Sequence, residues 1–400
     1  MSRILLAWEL GGGYGHLGPF LALAPELVKR GHELHVAARE VVSAVRAVGD
    51  FPISVHQAPL CTAQYGGLQD PPLNFAEILM RFGYLDPAML RGLLAAWCSL
   101  QRAIRADVVI ADHAPTALLA ARCLGIPCAV IGSAFNVPPP VSPSVNMRPW
   151  VEVPQARLAD SDRRILEVIN TVLPQGRQLD TLPGLFDGAA RFFSGVPELD
   201  PYGPRDPSDY LGLLTLSTGS ALPQWPAGDG PRVFAYIHAD YLHAGAVLQA
   251  LAAADARVLL HVLGGDNRTL QRFAGGRLAL APALMEFSRV VDESDLCVCH
   301  GNAGTTLGML GGGRPLLILP KHLENHLLGI AVQRNGAGLV AAPDVVPDVG
   351  GMLRTLLSDP RYGAAAKQLA HRSSSAAIGT IMVRAAARIE VLAAQRGEPS

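Results

Sequence analysis

The sequence is short of charge. Only 17% of its 400 residues are Asp, Glu, Lys or Arg, against about a quarter in ordinary soluble domains. The 33 basic and 34 acidic side chains leave a formal charge of -1, which argues against a general electrostatic nucleic-acid binder. Long hydrophobic runs are also missing. The longest, from Ala114 to Phe135, is broken by Arg122 and by Gly125-Ile126-Pro127, so it reads as helix, turn and strand and not as a membrane span. The apolar run Ile4 to Trp8 is too short for the core of an export signal. A cytoplasmic protein is expected, with membrane contact peripheral at most. Cysteines number six, and none has zinc-ligand spacing; with no acidic metal cluster either, no metal is expected and the thiols read as buried.

Hydrophobic residues, by contrast, make up half the chain, enough for two or three sizeable cores. Candidate strands are Arg3 to Trp8, Glu33 to Ala38, Ile53 to His56, Asp107 to Ala111 and Cys128 to Ile131. Leu17, Phe20, Leu21, Ala24, Leu27 and Val28 recur at helical spacing between the first two, with Pro25 expected to kink that helix. Near-continuous apolar strands alternating with helices indicate a parallel sheet covered on both faces. The alternation lapses over residues 136–158, which hold six prolines, and over 197–231, a cluster of Pro, Gly, Ser and Asp, and then restarts. The second set of candidate strands is Arg232 to Ile237, Arg257 to Val262, Leu296 to Cys299, Leu316 to Leu319 and Gly338 to Ala341, followed by a long terminal helix from Ser375 to Gln395. The expected organisation is an N-terminal domain over 1–205, a linker over 206–231, a C-terminal domain over 232–372, and a helix in 373–400 packing back on the first domain.

Three places carry candidate chemistry. Gly13-x-Gly15-x-x-Gly18 follows a strand and opens a helix, formally a dinucleotide fingerprint, and Glu40 lies where a ribose-binding acid would. His16 stands in the same loop, either as a general base or as a residue that packs the turn. Asp112 ends its strand at the same sheet edge, either orienting that imidazole or capping the helix that begins near Pro115. On spacing alone the cap is the better reading of Asp112. The third place is His300-Gly301-Asn302-Ala303-Gly304-Thr305-Thr306, between a strand and a helix, where free N–H groups and the dipole suit a diphosphate. Thr305 and Thr306 supply hydroxyls there and His300 a ring donor, and Glu324 and Asn325 at the next strand end offer the groups that sugar hydroxyls need.

The segment His300 to Gly338 resembles the nucleotide-sugar motif of the family 1 glycosyltransferases, the UDP-glycosyltransferase group. Their H-G-G-x-G-T pattern, Gly-x-Pro, second proline, Asp-Gln pair and late Gly-x-Gly are matched in order by His300, Gly301, Gly304, Thr305, Gly313, Pro315, Pro320, Gly336 and Gly338, with Glu324-Asn325 at the Asp-Gln positions. The string from Gly15 to Ala37 is similar to the family's first loop and helix, which places the family's catalytic base at His16. The partner aspartate falls on Asp112, with Gly125-Ile126-Pro127 downstream. The departures are specific: the family's ribose-holding glutamate is Gly308, its second phosphate-loop glycine is Asn302, its Gly-Ser after the first C-terminal strand is His238-Ala239, and its base-seating segment is reduced to Ala281-Pro282.

The resemblance implies the GT-B arrangement, two Rossmann-like doubly wound domains facing a central cleft, the donor in the second and the acceptor in the first. It implies a metal-independent, inverting transferase using a UDP- or dTDP-sugar. His16 and Asp112 would be catalytic, and His238, His300, Gly301, Asn302, Gly304, Thr305, Thr306, Glu324 and Asn325 would bind the donor. A small lipophilic acceptor is expected against segments 60–90 and 134–155, where Tyr65, Phe75, Phe82, Tyr84, Phe135 and Trp150 lie. Competing readings are a transferase acting on lipid-linked sugars at a membrane surface, an NAD(P)-dependent oxidoreductase using the N-terminal glycines, and a non-catalytic nucleotide-sugar binder.

Overall fold

The computed structural model describes residues 1–214, 219–281, 283–343, 345–373 and 378–396. The chain divides into two compact units, Met1–Phe193 with Gly379–Ser400, and Ser194–Ile378. The first holds β1 (Arg3–Trp8), β2 (Glu33–Ala38), β3 (Ile53–Gln57), β4 (Val108–Asp112), β5 (Cys128–Gly132) and β6 (Ala190–Phe193). They form one all-parallel sheet in the order β3-β2-β1-β4-β5-β6. The second holds β7 (Arg232–His238), β8 (Arg257–Leu263), β9 (Leu278–Leu280), β10 (Leu296–Cys299), β11 (Leu316–Ile318) and β12 (Gly338–Val340). Its order is β12-β11-β10-β7-β8-β9, again all parallel.

The two sheets share one winding. Each is laid down from the middle outwards to one edge and then from the middle to the other. The reversal falls between β1 and β4 in the first unit and between β7 and β10 in the second. Ligands of such sheets bind at the carboxyl ends of the strands at that reversal. The central strands are largely apolar because helices cover both faces: every residue of β4 and of β10 is buried.

Two strands were not legible as periodic runs, β6 with four residues and β9 with three. Both lie at sheet edges, where a short strand needs no second pairing partner. The helix Gly18–Lys29 runs through Pro25, which faces solvent. The stretch 206–231, read from composition as a linker, belongs to the second unit. Its residues Tyr210, Leu211, Leu213 and Leu214 are buried, and Ala221 makes a parallel bridge with Met285. The terminal helix Ile378–Gln395 falls with the first unit, where Glu390 accepts from Arg30 and His32. Residues 375–377 of the expected helix lie outside the described residues. Among the described residues, no helix is long and apolar enough to cross a membrane.

Candidate active site

At the reversal point of the first unit, Trp8 and Asp112 are paired in the register of β1 and β4. The loop after β1 turns back through Gly11 and a short helical turn, Tyr14–His16, and brings His16 over the strand ends. His16 Nδ1 then lies 2.9 Å from Asp112 Oδ1. Asp112 is 1% exposed, and the His16 side chain 14%. The His16 ring stacks on the buried Trp8 indole, centroids 5.2 Å apart and planes at 21°. With Nδ1 turned to the carboxylate, Nε2 is the ring atom that would exchange a proton.

Asp112 is not a helix cap. The cap position of the helix Pro115–Leu124 is Ala114, which has no capping side chain. The helix end is instead met by Glu9, which sequence reasoning passed over. Its carboxylate accepts from the Thr116 backbone N–H at 2.9 Å and from the Thr116 hydroxyl at 2.5 Å. Tyr84 Oη lies 2.8 Å from that hydroxyl. Burial pushes the Glu9 carboxyl up to about 7, against the pull of these donors. His113, also missed, sits between Asp112 and the helix with φ +48°. Burial, and then the nearby His16, push its imidazole down to about 3, so it is neutral. Among the described residues its buried Nε2 has no hydrogen-bond partner, nor has Oδ1 of Asn136, whose Nδ2 lies 3.5 Å from Asp112 Oδ1. Both residues line a pocket with Phe75, Leu118, Val137 and Phe186. Of the aromatic residues expected around an acceptor, Phe75 reaches this pocket, Tyr84 is spent in the Glu9 network, and Trp150 is half exposed.

In the loop containing Gly13, Gly15 and Gly18, nothing stands within 4 Å of the Cβ positions of Gly13 and Gly15. The His16 ring lies over Gly11, and Pro19 removes one N–H from the first turn of the helix. Glu40 precedes the helix Val41–Val48 and accepts from Ser43.

At the reversal point of the second unit, His238 ends β7 and His300 follows β10. The His238 backbone N–H donates to His300 Nε2 at 2.8 Å, and His300 Nδ1 donates to the Leu319 carbonyl at 2.7 Å. Both ring nitrogens are therefore spent on backbone. Burial pushes the His300 imidazole down to about 4, which fixes it neutral. The expectation that this ring donates to a diphosphate is corrected accordingly: His300 staples three strand ends together. Thr306 is corrected too. It is wholly buried, with Oγ1 against Cys299 Sγ, because it falls on the core side of the helix Ala303–Gly311.

The rest of that loop is open. Asn302 occupies the cap position without capping; its Nδ2 donates to Thr305 Oγ1 at 3.0 Å and its Oδ1 has no partner among the described residues. The N–H groups of the first turn are left for a ligand. Nothing stands within 4 Å of the Cβ position of Gly304. A Cβ on Gly301 would stand 2.8 Å from the Asn325 carbonyl oxygen, so the phosphate loop and the helix Leu323–Arg334, which carries Glu324 and Asn325, are in close contact. Gly308 is explained in the same way: a side chain there would run into the Phe287 ring at 2.6 Å, which leaves no room for a ribose-holding acid. A cavity of about 220 Å³ lies one strand further out, at the carboxyl ends of β8 and β9, lined by His261, Gly264, Leu270 and Ala281. Pro282 of the expected base-seating pair lies outside the described residues.

No protein-family model matches the chain. Its sequence is similar to the elloramycin glycosyltransferase of Streptomyces olivaceus, 34% identical over 174 residues that span 40% of this chain and 43% of that protein. It is 26% identical over 410 residues to an uncharacterized glycosyltransferase of Mycobacterium leprae, covering 91% of both. The fold matches the glycosyltransferase VinC, solved in complex with dTDP, with a TM-score of 0.66 over 98% of this chain and 100% of VinC at 18% identity. It matches SnogD from Streptomyces nogalater equally, TM-score 0.66 at 19% identity, over 98% and 99%. The chain has the GT-B fold and is similar over nearly its whole length to bacterial glycosyltransferases. In this chain, both reversal points carry the polar side chains that its sequence motifs singled out.

Proposed function

We propose that this chain moves a sugar from a nucleoside diphosphate to a hydroxyl of a small, lipophilic acceptor, with inversion at the anomeric carbon. The observation that carries the reading is the His16–Asp112 pair, 2.9 Å apart at the reversal point of the first sheet. His16 Nε2 takes the proton of the acceptor hydroxyl as its oxygen attacks the anomeric carbon from the face opposite the leaving group. Asp112 holds the tautomer and stabilises the imidazolium, and the Trp8 face beneath the ring adds a cation–π contribution. The departing diphosphate is met by the first-turn N–H groups of the helix Ala303–Gly311 and by the Thr305 hydroxyl, fixed dipoles that serve where a metal ion otherwise would.

In this reading the first unit is the acceptor domain and the second the donor domain. The neutral His113 and Asn136 line an otherwise apolar pocket of about 10 Å³, room for one small group and not for a whole acceptor. The cavity beside His261 seats the nucleoside, and dTDP, the nucleotide bound to VinC, is the first candidate, with UDP the second. Glu324 and Asn325 face the sugar hydroxyls. The protein acts in the cytoplasm.

The test is incubation with dTDP- and UDP-sugars and a panel of phenolic and alicyclic alcohols, followed by mass spectrometry and NMR of the anomeric proton. The reading requires a glycoside of inverted configuration, formed by the wild type and not by His16→Ala. Retention of configuration, or equal turnover by the variant, refutes it.

A further inference from the structure

Resting on the reading of the second unit as a nucleoside-diphosphate site, we propose that Lys321 is the cation that binds the diphosphate, and that Asp240 holds this lysine until the donor arrives. The need for such a group comes from His300. Its two ring nitrogens are taken by Leu319 and His238, so it offers the phosphates neither a proton nor a charge. Thr306 is buried and offers none either.

Lys321 lies where the charge is missing. It is two residues beyond Leu319, the carbonyl to which His300 is bonded. Its Nζ is 3.2 Å from His238 Nδ1, and the His238 and His300 rings stand edge to face, 5.0 Å between centroids. Lys321, His238 and His300 thus form one contiguous row across the carboxyl ends of β11, β10 and β7. The contact with Lys321 makes Nδ1 of His238 an acceptor, which leaves the ring proton on Nε2, a second donor in the same row.

The other partner of Lys321 is Asp240, with Nζ 2.5 Å from Oδ1. The Asp240 side chain is 76% exposed and the Lys321 side chain 14%. An ion pair with one partner so wet contributes little to the fold. Its carboxylate can swing into water and free the ammonium. An ammonium has three donors, of which Asp240 and His238 take two. Residue choice agrees with this role. Of 33 basic residues only three are lysines, Lys29, Lys321 and Lys367, so the chain uses arginine nearly everywhere else. A compact ammonium on a flexible stem can change partners without the planar fork of a guanidinium.

The experiment is calorimetric titration of the full chain with dTDP and UDP, and then, for whichever binds, with the matching monophosphate and nucleoside. Lys321→Gln is expected to weaken the diphosphate at least about tenfold, with the nucleoside unchanged. Asp240→Asn is expected to tighten the diphosphate, since it removes the competing carboxylate; a variant that merely damaged the fold would not do so. Equal affinity of wild type and Lys321→Gln for the diphosphate overturns the proposal, as does equal weakening of diphosphate and nucleoside, or weaker binding by Asp240→Asn. Wild-type protein that binds neither diphosphate overturns the donor-site reading itself, and this proposal with it.

Discussion

The carboxylate of Asp112 occupies the space that a side chain on Gly132 would need: a Cβ there would stand 2.3 Å from Oδ2, on a backbone with φ +97°. Gly11 bears the same relation to His16, its absent Cβ 2.3 Å from Nε2 at φ +77°. Both members of the pair are seated against glycine. Gly132→Ala and Gly11→Ala should each displace one partner and lower turnover by about 10²-fold or more, the scale of a misplaced general base. Binding of dTDP or UDP, measured by calorimetry, should be unchanged in both.

Removal of the pair itself should act on the chemical step. His16→Ala and Asp112→Asn are expected to lower kcat by about 10²–10⁴-fold while the donor KM stays near that of the wild type. Steady-state kinetics with one accepted donor separates the two constants. A rise in donor KM with kcat intact would place His16 in donor binding instead.

The adjacent threonines should behave differently. Thr305 is half-buried at the open face of the phosphate loop, and Thr306 is sealed against Cys299. Thr305→Val should weaken nucleoside diphosphate binding by about 1.5–3 kcal/mol, the scale of one hydrogen bond to a charged group. Thr306→Val should leave binding unchanged, and the two titrations side by side check this.

Glu9 makes stability depend on pH. Its carboxyl ionises at about 7 in the folded chain against 4.5 unperturbed, so the folded state holds a proton there that the unfolded state has lost. Stability from this group is fully present below 4.5 and is lost as pH rises through 7. The full shift corresponds to about 3 kcal/mol. Glu9→Gln mimics the protonated acid, accepting from the Thr116 N–H and donating to its hydroxyl. Urea denaturation should show the variant more stable than wild type at pH 8 and equal to it at pH 4.5. An equal difference at both values would contradict the assignment.

His113 and His300 act in the opposite sense. Both are neutral in the folded chain, with imidazoles pushed from 6.5 down to about 3 and about 4, whereas the unfolded chain protonates them. Stability therefore falls as pH drops below 6.5, by about 1.4 kcal/mol per pH unit for each histidine. Glu9 cancels one of these protons between 4.5 and 6.5, so the acid limb should be steeper in Glu9→Gln than in wild type by about 1.4 kcal/mol per pH unit.

Much of the scaffold was legible in the sequence because its central strands are buried on both faces and read as near-continuous apolar runs. The loops of His16 and His300 stood out for the same reason: polar residues and glycines interrupt the pattern where a strand ends at the carboxyl edge. What the sequence could not convey depends on distant neighbours. Nothing near His300 in the chain says that Leu319 and His238 will take its nitrogens. Thr305 and Thr306 differ only by the face of a helix whose start must be known to one residue. Gly308 reads as a lost acid until Phe287 is seen against it. Glu9 and His113 carried no motif, but an acidic residue directly after an all-apolar strand was a signal that could have been followed.

The most direct test of the account is calorimetric titration of the full-length protein with dTDP, UDP and NAD(P)H. The account predicts one saturable site per chain for dTDP or UDP, weakened by Thr305→Ala and untouched by His16→Ala. Binding of NAD(P)H in place of either diphosphate would contradict it.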